Sequence, residues 1–129
     1  MIKRNVHAAS RFYNDWTIRI YHDDTIDESI ICEIECMKNS QTNEFYNNVD
    51  FCNVKQIPKS PLDMLDLSYL LPMTWRWLPI GDQFVDLFMS RDTDSCIFER
   101  EVAAVKEWLN STTLFHIMKG SFFLKILLI

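Results

Sequence analysis

Glycine and proline are scarce in this chain, at two and four of 129 residues. That leaves little room for linkers, and neither an internal repeat nor a low-complexity stretch divides the sequence. A basic excess is also missing. The formal net charge is −5, with the lysines and arginines scattered, which argues against a nucleic-acid surface. Long hydrophobic runs are absent. The strongest, Phe122-Phe123-Leu124-Lys125-Ile126-Leu127-Leu128-Ile129, falls far short of the roughly twenty residues that a helical membrane span needs. A secretory signal is not expected either, because Met1-Ile2-Lys3-Arg4 is followed by Asn5 and His7 rather than by an apolar stretch. The four cysteines have no zinc-like pairing. Cys32 and Cys36 stand four apart on a predicted helix, a spacing that suits helix-face packing better than a ligand set. Whether the four pair depends on the redox compartment, which their spacing does not decide.

What is present is globular composition, 48% hydrophobic, and about one domain's worth of chain. Ile2, Val6, Ala9 and Tyr13 form a helix stripe. Trp16 to Tyr21 alternates as a strand. Thr25 and Glu28 read as a capping box, ahead of a helix with Ile26, Ile30, Ile34 and Met37 on one face. A polar loop from Asn39 to Asn48 leads to a strand over Val49 to Val54. Pro58 and Pro61 break the chain before a stretch from Leu62 to Leu78 that is helical in pieces, since Pro72 cannot sit inside a regular helix. Phe84 to Met89 reads as a nearly all-apolar strand with one unexplained charge, Asp86. Glu99 to Asn110 is a helix with Phe98, Val102, Val105 and Leu109 on its apolar face, and Phe115 to Met118 a last strand. Strands alternating with helices of this length imply an α/β fold, its sheet mostly parallel and covered on both faces.

The strand at Phe84 runs into Asp92-Thr93-Asp94, an Asp-x-Asp motif. Mg²⁺ and Mn²⁺ are hard cations that take oxygen ligands, commonly one or two carboxylates plus substrate phosphates. Two carboxylates just beyond a strand's carboxyl end also lie where open α/β sheets bind ligands. With eleven aspartates in the chain, chance supplies roughly one such tripeptide, and the plain alternative is a solvated turn. The strand before it, the helix after it and Arg76 upstream favour the metal reading.

Three segments resemble a known family. Met73-Thr74-Trp75-Arg76-Trp77-Leu78-Pro79, then Val85 to Ser95, then Arg100 to Ser111 are similar to largely uncharacterised animal proteins related to the DXD-containing GT-A glycosyltransferases. Phe12 to Asp23 matches their early tyrosine–tryptophan–strand block, so the resemblance covers roughly Arg11 to Lys119. It implies a Rossmann-like GT-A domain over residues 1–119, with residues 120–129 as an apolar tail foreign to the family. It also implies donor contacts from Arg76 and Asp92, and a Mn²⁺ or Mg²⁺ ion held through Asp94 with Asp92. A planar guanidinium grips phosphate or sugar oxygens with two bonds. The implied reaction moves a sugar from a nucleotide-diphosphate sugar, a UDP-sugar being one candidate, to an acceptor hydroxyl of unknown identity. The cation then stabilises the leaving diphosphate. Relatives of this kind often work in the secretory pathway, which leaves the compartment of this chain undecided.

No general base stands out. His116, and His22 with Asp23 and Asp24, read as core or surface groups, and Arg91 as a solvated charge at a strand end. Against the family pattern, a first strand of the nucleotide pocket and the acceptor half are expected to be missing, so the domain reads as incomplete at both ends and weak or inactive. Two other readings stay open. One is a haloacid-dehalogenase-type phosphatase, although Cys96 stands where that family wants Thr or Val and the motif lies mid-chain. The other is a non-catalytic fragment with an exposed apolar tail and open sheet edges.

Overall fold

The computed structural model describes residues 2–39, 42–60, 63–119 and 124–128. In chain order these form α1 (Ile2–Phe12), β1 (Ile18–His22), α2 (Glu28–Glu35), β2 (Val49–Asn53), β3 (Ile57–Ser60) and β4 (Asp63–Leu65). A 3₁₀ segment (Pro72–Gly81), β5 (Phe88–Ser90), α3 (Glu99–Leu109), β6 (Phe115–Lys119) and β7 (Leu124–Leu128) follow. The architecture is mixed α/β with small sheets. Two compact units divide it, Lys3–Trp75 and Arg76–Ile129 with the two N-terminal residues, so the division falls inside the 3₁₀ segment.

The first unit contains a β-α-β element. Strands β1 and β2 pair in parallel, Ile18 opposite Val49 and His22 opposite Asn53, with α2 in the connection between them. This is the pairing that strand–helix alternation predicts, and it is confined to two strands. Buried Val6, Ala9 and Tyr13 put α1 on its expected stripe, with Asn5 buried beside them. Ile20, Ile34, Tyr46, Val54 and Trp75 supply the unit's other buried apolar side chains.

Helix α2 starts later than the capping-box pattern implies. Asp27 is its N-cap, accepting a hydrogen bond from the Ser29 amide at 2.8 Å. Thr25 is held instead by Asp23, which accepts from its amide at 3.0 Å and its hydroxyl at 2.6 Å. An aspartate that satisfies Thr25 locally removes it as a helix cap.

The stretch expected to be helical in pieces begins otherwise. Strands β3 and β4 form an antiparallel hairpin whose register shifts between Pro58 and Ser60, the irregularity a strand proline favours. Pro61 and Leu62 lie outside the described residues. Pro72 then opens the 3₁₀ segment rather than breaking it, since a first-turn residue needs no donated amide. Thr74 fastens this start, its amide and hydroxyl both donating to the Leu71 carbonyl, at 2.8 and 2.7 Å.

In the second unit, β7 lies between β5 and β6 in an antiparallel sheet, Ser90 opposite Ile126 and Ile117 opposite Ile126 on its other side. The strand expected from Phe84 is shorter than its apolar run. Asp82 accepts from the Phe84 amide at 2.9 Å and its carbonyl from Val85 at 3.1 Å, so the chain turns here and Phe84 stands 86% exposed. Asp86 is an exposed residue ahead of β5, which accounts for its charge.

Helix α3 packs on β6, and the stripe predicted for it is buried only in part. Phe98 and Leu109 are exposed, while Glu101, Val105 and Trp108 are buried. No described helix is long and apolar enough to cross a membrane.

Candidate functional site around the Asp-x-Asp loop

The site is assembled within the second unit. Trp77, in the 3₁₀ segment, sets its ring edge-to-face against Phe88 of β5, with centroids 6.3 Å apart and planes at 87°. That aromatic contact ties the segment to the strand leading into the Asp-x-Asp loop. Arg76, next to Trp77, forms an ion pair with Asp92 from Nη1 to Oδ1. Two residues that lie sixteen apart in sequence therefore meet as charge partners, both half-buried.

Asp94 follows two residues on and is exposed. Between the carboxylates the backbone turns, the Ser95 amide donating to the Asp92 carbonyl at 3.1 Å. Arg91 braces this turn. Its Nη2 donates to the Ser95 carbonyl at 3.1 Å and reaches Glu101 Oε2, in the first turn of α3, at 3.3 Å. Only 16% of the Arg91 side chain and 2% of the Glu101 side chain meet solvent. The solvated charge expected at position 91 is instead an inward-facing clamp. A charge pattern alone could not have shown this, since Glu101 reads in sequence as a dipole-favouring acid of the helix first turn.

Asp92 and Asp94 offer the carboxylate oxygens that a hard divalent cation prefers, and Asp94 offers them to solvent. Among the described residues no cluster of three or more His, Cys, Asp or Glu side chains forms a closed metal cage. A two-carboxylate loop fits the kind of ion that completes its shell with phosphate and water.

The histidines singled out in sequence belong to other elements. His22 ends β1 in the first unit, its Nδ1 3.0 Å from the Asp23 carbonyl and its ring edge-on to Phe51. Asp24 is engaged by Asn53 at 3.1 Å and Lys55 at 2.6 Å. Those bonds, Lys55 first and then Asn53, hold the Asp24 carboxyl below the usual aspartate range, and the Thr25 bonds do the same for Asp23. This is a tied, solvated turn at the carboxyl ends of β1 and β2. His116 lies in β6 opposite Leu127.

A second polar feature was not legible in the sequence. His7 Nδ1 and the Tyr46 hydroxyl are 2.7 Å apart across thirty-nine residues. Near them a 190 Å³ hollow is lined by Asn14, Asn39, Tyr46, Asn47 and Asn48, all in the first unit. Ser10, Thr42, Glu44 and Phe45 complete the lining.

Searched against known proteins, the chain matches no family model, no curated protein and no solved structure.

Proposed function

We propose that the chain is a GT-A-like domain that binds a nucleotide-diphosphate sugar through Mn²⁺ or Mg²⁺ and supports sugar transfer to an acceptor hydroxyl. The observation that carries this reading is the Arg76–Asp92 ion pair beside Asp94. It brings a forked cation to the loop that carries two carboxylates, the combination that a metal-bound diphosphate calls for. Arg76 would turn from Asp92 to the donor's phosphate or sugar oxygens. Asp92 keeps the guanidinium aimed in the free state and contacts the ribose or sugar in the bound one. Asp94 would hold the cation with Asp92, and the ion would supply charge neutralisation on the diphosphate. Arg91 and Glu101 keep the turn carrying both aspartates in shape.

A thermal melt with and without Mn²⁺ plus UDP tests this. Ligand that binds only the folded state raises Tm by mass action. The expected result is a rise that needs both ligands and is lost in Asp94→Asn. A cooperative transition that ignores Mn²⁺ and UDP overturns the donor-site reading.

A further inference from the structure

A second pair of side chains, on α2 of the first unit, has chemistry of its own. The Sγ atoms of Cys32 and Cys36 stand 3.9 Å apart, and both residues are exposed. The packing role expected from their spacing is therefore not what they do. Cys32 is in the body of α2, whereas Cys36 is its C-cap, one residue beyond the last helical position, with φ −86° and ψ 4°. The pair thus combines a fixed thiol with one at a helix end.

Two chemistries could join the sulfurs, and the distances separate them. A disulfide needs S–S near 2.05 Å and Cβ atoms about 3.5–4.5 Å apart, whereas residues four apart on a helix hold their Cβ atoms at about 5–6 Å. Closing that bond would require the last turn of α2 to unwind. Two metal–sulfur bonds of about 2.3 Å span roughly 4.0 Å at a trigonal angle and roughly 4.6 Å when collinear. The observed 3.9 Å matches the trigonal span without moving the helix.

We propose that Cys32 and Cys36 form a two-thiolate site for a soft monovalent cation, Cu(I). Thiolates select Cu(I) and zinc over hard ions. Among the described residues no third His, Cys, Asp or Glu side chain joins the pair, so a closed four-ligand zinc site is not built. Cu(I) is satisfied by two or three ligands, the third coming from solvent or a small thiol. Binding replaces two S–H bonds with two Cu–S bonds and releases two protons, with no change of oxidation state.

The test is anaerobic titration of the reduced full chain with Cu(I) against a Cu(I) chelator, followed by alkylation and peptide mass spectrometry. One equivalent is expected to shield Cys32 and Cys36 while Cys52 and Cys96 label as they do without metal. The Cys52→Ala/Cys96→Ala double variant should retain that equivalent. Cys32→Ser and Cys36→Ser should each lose it with unchanged far-ultraviolet dichroism, since both positions are exposed. Equal labelling of Cys32 and Cys36 with and without Cu(I) overturns the proposal, as does metal uptake that follows Cys52 or Cys96.

Discussion

Arg91 and Glu101 meet at 3.3 Å with almost no solvent around the carboxylate, and the same guanidinium nitrogen closes the Asp92–Ser95 turn. Removing one partner of such a pair strands the other's charge, which costs more than the pair itself contributes. Glu101→Ala should therefore destabilise the chain by about 3 kcal/mol, the low end for a buried pair because Arg91 keeps some solvent. The Arg91→Met/Glu101→Leu double variant should recover most of that loss. Urea denaturation of the three proteins measures it, and a double variant no more stable than Glu101→Ala would contradict the coupling.

Arg76 offers a sharper test of the donor site than its charge alone. Arg76→Lys keeps the positive charge but loses the fork, so it should weaken the Mn²⁺–UDP shift in Tm, while Arg76→Met should abolish it. A lysine variant indistinguishable from the parent would reduce the role of Arg76 to a point charge.

The buried side of α2 can be read by truncation. Ile34 is 2% exposed and Ile30 43%. Ile34→Ala should cost roughly 2–5 kcal/mol, and Ile30→Ala well under half of that. Equal losses, measured by denaturant midpoint, would mean that the helix is rotated from the orientation described.

Acid should loosen the turn beyond β1. Asp24 has its folded-state pKa depressed by Lys55 and Asn53, and Asp66 by Ser68. A depressed carboxylate contributes stability above its unfolded pKa of about 3.9 and loses it as pH falls through the lower folded value. Lys55, raised by its bond to Asp24, runs the other way, contributing below about 10.4 and losing that as pH rises beyond it. Tm against pH should thus fall less steeply on the acid side in Asp24→Asn than in the parent. Salt should shrink the difference, because both partners of the pair are substantially exposed.

Local pattern made parts of this fold legible. The α1 stripe, β2, β6 and the parallel β1–β2 pair follow from apolar spacing and from the helix between the strands. Where sequence and structure part, a side chain had a better local partner than its pattern suggested. Asp23 takes Thr25 from the helix start, Asp82 turns the apolar run at Phe84 out of the strand, and Arg91 draws Glu101 inward, so that α3 buries Glu101 and Trp108 beside Val105 while Phe98 and Leu109 stay exposed. The Asp-x-Asp loop was visible as a motif. Its clamp was not, because an inward-facing Glu101 requires a partner ten residues back that no periodicity marks.

Each of the two units holds a shielded indole, Trp75 in the first and Trp108 in the second. Of the chain's four tryptophans, these two are the buried ones. Variants keeping only Trp75 or only Trp108 of the four would report the melting of each half by emission red-shift. Coincident midpoints would describe one cooperative molecule, and separated ones two independently folding halves.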